Sequence, residues 1–90
     1  MTITWNERKA KVNEAKHGVS FDEAATVLIS ETALVFEDDS SEEERFKAIG
    51  FSAAANLLLV VYHYRDDATI RIISARRATA NERREYEKRV

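Results

Sequence analysis

The spacing of apolar residues changes near residue 32, from a helical period before it to strand-like alternation after it. Thr2 to Trp5 mix β-branched and aromatic residues, enough for a short opening strand. Asn6 can then cap a helix running to about Lys16, and Gly18 suits a left-handed residue that ends it. Ser20-Phe21-Asp22-Glu23 has the spacing of a capping box, in which hydroxyl and carboxylate each satisfy an exposed amide at a helix start. The helix it opens extends to about Ile29. Ala24, Ala25, Val27 and Leu28 give it an apolar side, with Val19 placed as a staple before the cap.

From Thr32 the chain reads as four strands: TALVFED, ERFKAIGFS, NLLLVVYHY and ATIRIISAR. Their connections, DDSSEEE, SAAAN and RDDA, are too short for a parallel return, so neighbours must pair antiparallel. NLLLVVYHY is apolar on both faces for most of its length and belongs in the centre. Thr79-Ala80-Asn81-Glu82 repeats the capping-box spacing and opens a last helix carrying Arg83, Arg84, Tyr86 and Lys88. The order β-α-α-β-β-β-β-α predicts an α+β fold, an antiparallel sheet with helices packed on one face.

Composition narrows this picture. The absence of proline and the presence of only two glycines leave no linker, so residues 1–90 read as a single domain. A domain of this size buries only about 60% of the surface its unfolded chain exposes, so an active site is expected in a surface cleft or on an open sheet face. Without cysteine there are no disulfides, thiolate metal sites or cysteine nucleophiles, which fits a reducing compartment. No apolar stretch follows the start MTITWNERKAK, and the longest apolar run, Leu57 to Tyr62, is too short to cross a bilayer. The expected location is the cytoplasm, with no membrane contact. The net charge of −2 conceals an asymmetry: residues 1–44 hold four Lys or Arg against eleven Asp or Glu, and residues 45–90 hold ten against five. A basic half in an overall acidic protein suggests a surface for a polyanion; solvated charged faces are the alternative.

Alternation on ATIRIISAR predicts Arg71, Ile73, Ala75 and Arg77 on one face, opposite Ile70, Ile72, Ser74 and Arg76. Arg45 and Lys47 share a side of their own strand. If that side is also Arg71's, three cations form a track for backbone phosphates; otherwise they are solvent-facing charges. Arg71 is conspicuous because it interrupts an apolar strand. His63, beside Tyr62 and Tyr64, is the candidate for proton transfer, since histidine ordinarily titrates near neutrality, although a strand end also suits a structural histidine. His17, next to Gly18, is expected to favour the helix C-terminus. Trp5 suits the core or a base-stacking platform. The histidines lack metal spacing and DDSSEEE lacks an ordered calcium pattern, so no metal is expected.

Four stretches, WNERKAK (5–11), KHGVSFDEAATV (16–27), EDDSSEEERFKAIG (37–50) and RIISARRATANERREYE (71–87), resemble the BrnT toxin family and together span nearly the whole chain. SAAAN departs from the glycine-containing turn expected there. The resemblance implies a RelE-like fold and a cofactor-free ribonuclease that stops translation. It also implies neutralisation by a BrnA-type ribbon-helix-helix antitoxin, through which alone the complex binds operator DNA. On that footing Arg45, Arg71 and Arg76 are expected to stabilise phosphoryl charge and His63 to move a proton. Lys47, Tyr64, Arg77 and Trp5 are the expected RNA contacts. The expected complex is a dimer of heterodimers. A non-catalytic module that grips RNA or an acidic partner is the alternative.

Overall fold

The computed structural model describes residues 1–40 and 42–90; Ser41, in the predicted acidic connection, lies outside them. The elements follow the predicted order: β1 (Thr2–Thr4), α1 (Glu7–His17), α2 (Phe21–Leu28), β2 (Leu34–Asp38), β3 (Arg45–Phe51), β4 (Leu57–Asp66), β5 (Thr69–Arg77) and α3 (Ala80–Arg89). Asn6 accepts from the Lys9 amide, and Gly18 ends α1 at φ 71°, where its missing Cβ removes the steric penalty. At α3 the capping box is complete, with Thr79 accepting from the Glu82 amide and Glu82 accepting from the Thr79 amide. At α2 it is half-formed. Ser20 caps the Glu23 amide, but the Glu23 carboxylate instead accepts from Ser52 Oγ at 2.6 Å and Asn56 Nδ2 at 2.9 Å, tying α2 to the β3–β4 turn.

The α+β class stands, with two differences from the expected architecture. The sheet is mixed, in the order β1-β5-β4-β3-β2: β2 to β5 form an antiparallel meander, and β1 adds to β5 in parallel. No short loop joins β1 to β5, so nothing in the connection restricts its direction. The helices also lie on both faces. β4 places Leu58 and Val60 on one side and Leu57 and Leu59 on the other, all buried, so each side needs a cover. On one face Val19, Phe21, Ala24 and Val27, from α2 and the segment before it, join Ala48, Leu58, Val60, Tyr62, Ile70, Ile72 and Ala75 in the main core. On the other, Tyr86 of α3 packs with Ile49, Leu57 and Leu59 against Leu34 and Phe36.

β5 carries the detail that matters most for the site. Val61 pairs with Ser74, but the next residue, Tyr62, pairs with Ile72, leaving Ile73 as an extra residue in a β-bulge. The bulge resets the alternation, so Ser74 and Arg76 share Arg71's face while Ala75 and Arg77 share that of Ile70 and Ile72. The unbroken alternation expected from ATIRIISAR is therefore corrected at Ile73.

Candidate active site

Strand register carries the cations onto one face. Asp38 pairs with Arg45, Phe36 with Lys47, Lys47 with Val61, Val61 with Ser74 and His63 with Arg71. Because side chains on paired residues point the same way, Arg45, Lys47, His63, Arg71 and Arg76 lie on the α3 side of the sheet. The condition on which the phosphate track depended, a shared face for Arg45, Lys47 and Arg71, is met in the register.

Tyr86 covers the Leu34–Ile49–Leu59 end of this face; the other end opens into a cleft of roughly 250 Å³ lined by Lys9, Glu43, Arg45, His63, Arg71, Ile72 and Ile73. Three remote segments meet there: β3 with the connection before it, the β4–β5 pair and the first turn of α1. Arg45 lies 3.7 Å from Glu43, and its Nε is buried without a hydrogen-bond partner among the described residues. Asp38, opposite Arg45, is held ionised below its ordinary range first by the Ser40 hydroxyl and amide, with Lys47 and Arg45 adding smaller attractions. Lys9 and Glu43 were not singled out in the sequence. Neither spacing nor periodicity marks them, because each reaches the cleft from a different element than the arginines do.

The other expected site residues lie elsewhere. Arg76 is on the cationic face but two cross-strand rows beyond Arg71, where its guanidinium holds Glu82 with hydrogen bonds of 2.8 and 3.0 Å and so tethers α3 to β5. Lys47 lines a larger groove, of roughly 430 Å³, between α3 and β2–β3. Arg77 turns to the opposite face and donates to Asn56 Oδ1 at 2.9 Å. Tyr64 is also on the opposite face, edge-on to Phe46 and Tyr62 and about half exposed. Burial pushes the Tyr62 phenol above its ordinary value, with neighbouring Tyr64 adding to the shift. Trp5 packs edge-on to Phe21 against the main core while its indole N–H donates to Glu7, so it is chiefly a packing residue. The aromatic and cationic features, adjacent in sequence, are thus separated by the thickness of the sheet.

Among the described residues no three or more His, Asp or Glu gather as metal ligands would, and no helix is long and apolar enough to cross a membrane. No curated protein matches the chain. A family model described as "Ribonuclease toxin, BrnT, of type II toxin-antitoxin system" matches residues 5–82. Among solved structures, the ribonuclease toxin BrnT of Brucella abortus superposes with a TM-score of 0.71 at 30% identity, covering 88% of this chain and 97% of that one. With a family model spanning most of its length and a solved relative of the same fold, the chain belongs to the BrnT family of ribonuclease toxins of type II toxin–antitoxin systems.

Proposed function

We propose that the cleft between Arg45, His63 and Arg71 is where this toxin cuts RNA, by attack of a ribose 2′-hydroxyl on the adjacent phosphorus without a metal ion. The convergence of these residues with Lys9 and Glu43 in one opening supports the reading. The 2′ oxygen forms a bond to phosphorus as the bond to the 5′ oxygen breaks, leaving a cyclic phosphate and a free 5′-hydroxyl. One group must take the 2′ proton and another must protonate the departing 5′ oxygen. His63 and Glu43 are the side chains in the cleft suited to these transfers. Arg45 and Arg71 hold the phosphoryl oxygens as negative charge builds, and Lys9 adds a third cation. Lys47 and Arg76 extend the positive face beyond the scissile phosphate and guide the backbone of a longer RNA.

Cleavage of a purified RNA in excess chelator, abolished by a single 2′-deoxy substitution at the scissile site, is the expected result. Loss of activity on chelation would refute the scheme, and RNA binding without cleavage would leave a binding module. Cleavage is expected to stop translation and arrest growth, with co-expression of a BrnA-type ribbon-helix-helix antitoxin restoring it. The family's type II designation supports such a partner. The antitoxin would cover the cationic face and assemble the pair as a dimer of heterodimers through its own two-fold contact. Operator DNA would be bound through the antitoxin alone, so in a mobility-shift titration at matched salt the isolated toxin should bind far more weakly than the complex.

A further inference from the structure

Rows of residues across the strands order the α3 face. His63 pairs with Arg71, and Arg45 precedes the Phe46–Tyr62 pair, so these three make one row at the cleft. Two residues back along β4, about 7 Å at the rise of a strand, Val61 stands between Lys47 and Ser74. The bulge adds Ile73 to this second row, because two residues of β5 there oppose the single Val61.

Val61 and Ile73 are the apolar members of that row. Both are half-buried, and among the described residues neither packs into either apolar cluster. Ile73 lines the cleft beside Arg45, His63 and Arg71. Its neighbour Ile72 lines it too, but the Ile72 side chain is buried in the main core on the other face. One aliphatic side chain left partly in water would be ordinary. Two that stand opposite each other, one row from the cations that would hold a phosphate, form a small apolar surface that no part of the described chain covers. A nucleotide held by its phosphate in the first row must place its base within a few ångströms, and a base presents a broad apolar face.

We propose that Ile73, with Val61 beside it, seats a nucleobase flanking the scissile phosphate, so that the substrate is single-stranded RNA taken with little regard to base identity. The inference rests on the placement of the scissile phosphate proposed above. An aliphatic side chain has no donor or acceptor with which to read a base edge, and the Ser74 hydroxyl, which both donates and accepts, suits any of them. The base must leave its stack to reach the seat, which excludes a duplex.

The test uses the purified chain and a short single strand with one ribonucleotide in an otherwise 2′-deoxy chain, so that cleavage has one possible site. In companion strands one of the two bases flanking the scissile phosphate is missing. The wild type should cleave the intact strand about 10-fold faster in kcat/KM than one of the two abasic strands. Among the four bases at that position rates should vary less than about 10-fold, with purines first because they bury more surface. Ile73→Ala should cleave the intact strand about 10-fold more slowly and the abasic strand at the wild-type rate. A variant that slows every strand equally has only a structural defect and overturns the proposal. Preference for one base by about 1,000-fold also overturns it, since that demands hydrogen-bonded recognition. A complementary strand should suppress cleavage, and equal cleavage of the duplex overturns the proposal.

Binding tests the seat without cleavage, by fluorescence anisotropy of strands that are 2′-deoxy throughout, with their bases or without any. A wild-type preference for bases that Ile73→Ala abolishes supports the seat; if no strand is cleaved, that result counts instead against the catalytic reading of the cleft. Equal binding of both strands by the wild type overturns the proposal. Should Ile73→Ala fail to fold, Ile73→Phe enlarges the apolar surface and should raise the preference for the intact over the abasic strand; an unchanged ratio overturns the proposal.

Discussion

The two faces of the sheet are built from the same strands, yet they handle burial in opposite ways. The α1–α2 face is closed through its middle, with Tyr64 half exposed at one end: Ala48, Leu58, Val60 and Ala75 lose all contact with solvent, and Phe21, Val19 and Val27 fill the space above them. The α3 face is closed only where Tyr86 meets Ile49, Leu57 and Leu59, and the rest is left to Arg45, Lys47, His63 and Arg71. One face therefore carries most of the apolar burial and the other is free to carry charge. A chain of this length has one main core, so chemistry has to be placed on the reverse side of the strands that build it. Period-two alternation makes that possible, since Val60 and Val61, or Tyr62 and His63, serve different faces from adjacent positions.

If this division holds, substitutions on the closed face should reduce stability and those on the open face should reduce cleavage. The largest effect is expected for Leu58→Ala, which should lower unfolding stability by about 2–5 kcal/mol by leaving a cavity under α2. Urea titration measures it, and the fraction still folded should cleave RNA at the wild-type rate. Arg71→Ala should do the reverse, costing about 100-fold in cleavage, or roughly 2.7 kcal/mol of transition-state stabilisation, with the thermal midpoint nearly unchanged. A large fall in stability for Arg71→Ala would show that the faces are not separable in this way.

The tether between α3 and the sheet should give an intermediate effect. The Glu82 carboxyl is held below its ordinary value, first by its hydrogen bond from Arg76 and against the opposing effect of burial, with the Thr79 amide assisting. A depressed carboxylate adds stability that is present above its unfolded pKa and is lost as pH falls through the folded one. Arg76 is more than a third exposed, at 38%, so solvent screening limits the pair. Glu82→Gln should therefore cost about 1 kcal/mol at neutral pH, and the gap to wild type should close on acidification below the ordinary glutamate range. Thermal melts at a series of pH values check it; a gap that widened in acid would contradict the assigned cause.

The smallest effect should be a gain. The SAAAN turn places Ala55 at φ 63°, a left-handed conformation that glycine adopts without a Cβ clash. Ala55→Gly should stabilise the β3–β4 hairpin by about 0.5–1 kcal/mol, read from chemical denaturation, and it should leave cleavage untouched because the turn is remote from the cationic cleft.

What the sequence determined by itself were the elements and their order. The Asn6, Ser20 and Thr79 caps, the Gly18 stop, the central position of the two-sided apolar strand and the capping box at α3 depend on residues within a few positions of one another. The shared side of Arg45 and Lys47 was equally local. The tertiary structure alone decided what depends on distant partners. It placed β1 parallel beside β5, put α3 on the second face, turned the Glu23 carboxylate to Ser52 and Asn56 and brought Lys9 beside Arg71. It also set Tyr64 and Arg77 on the face away from His63. The bulge at Ile73 shows why: period-two alternation assumes an unbroken strand, and the extra residue that resets it is visible only in the pairing of β5 with β4. Periodicity measures how well a strand fits a face, and only the partner strand shows where the count is interrupted.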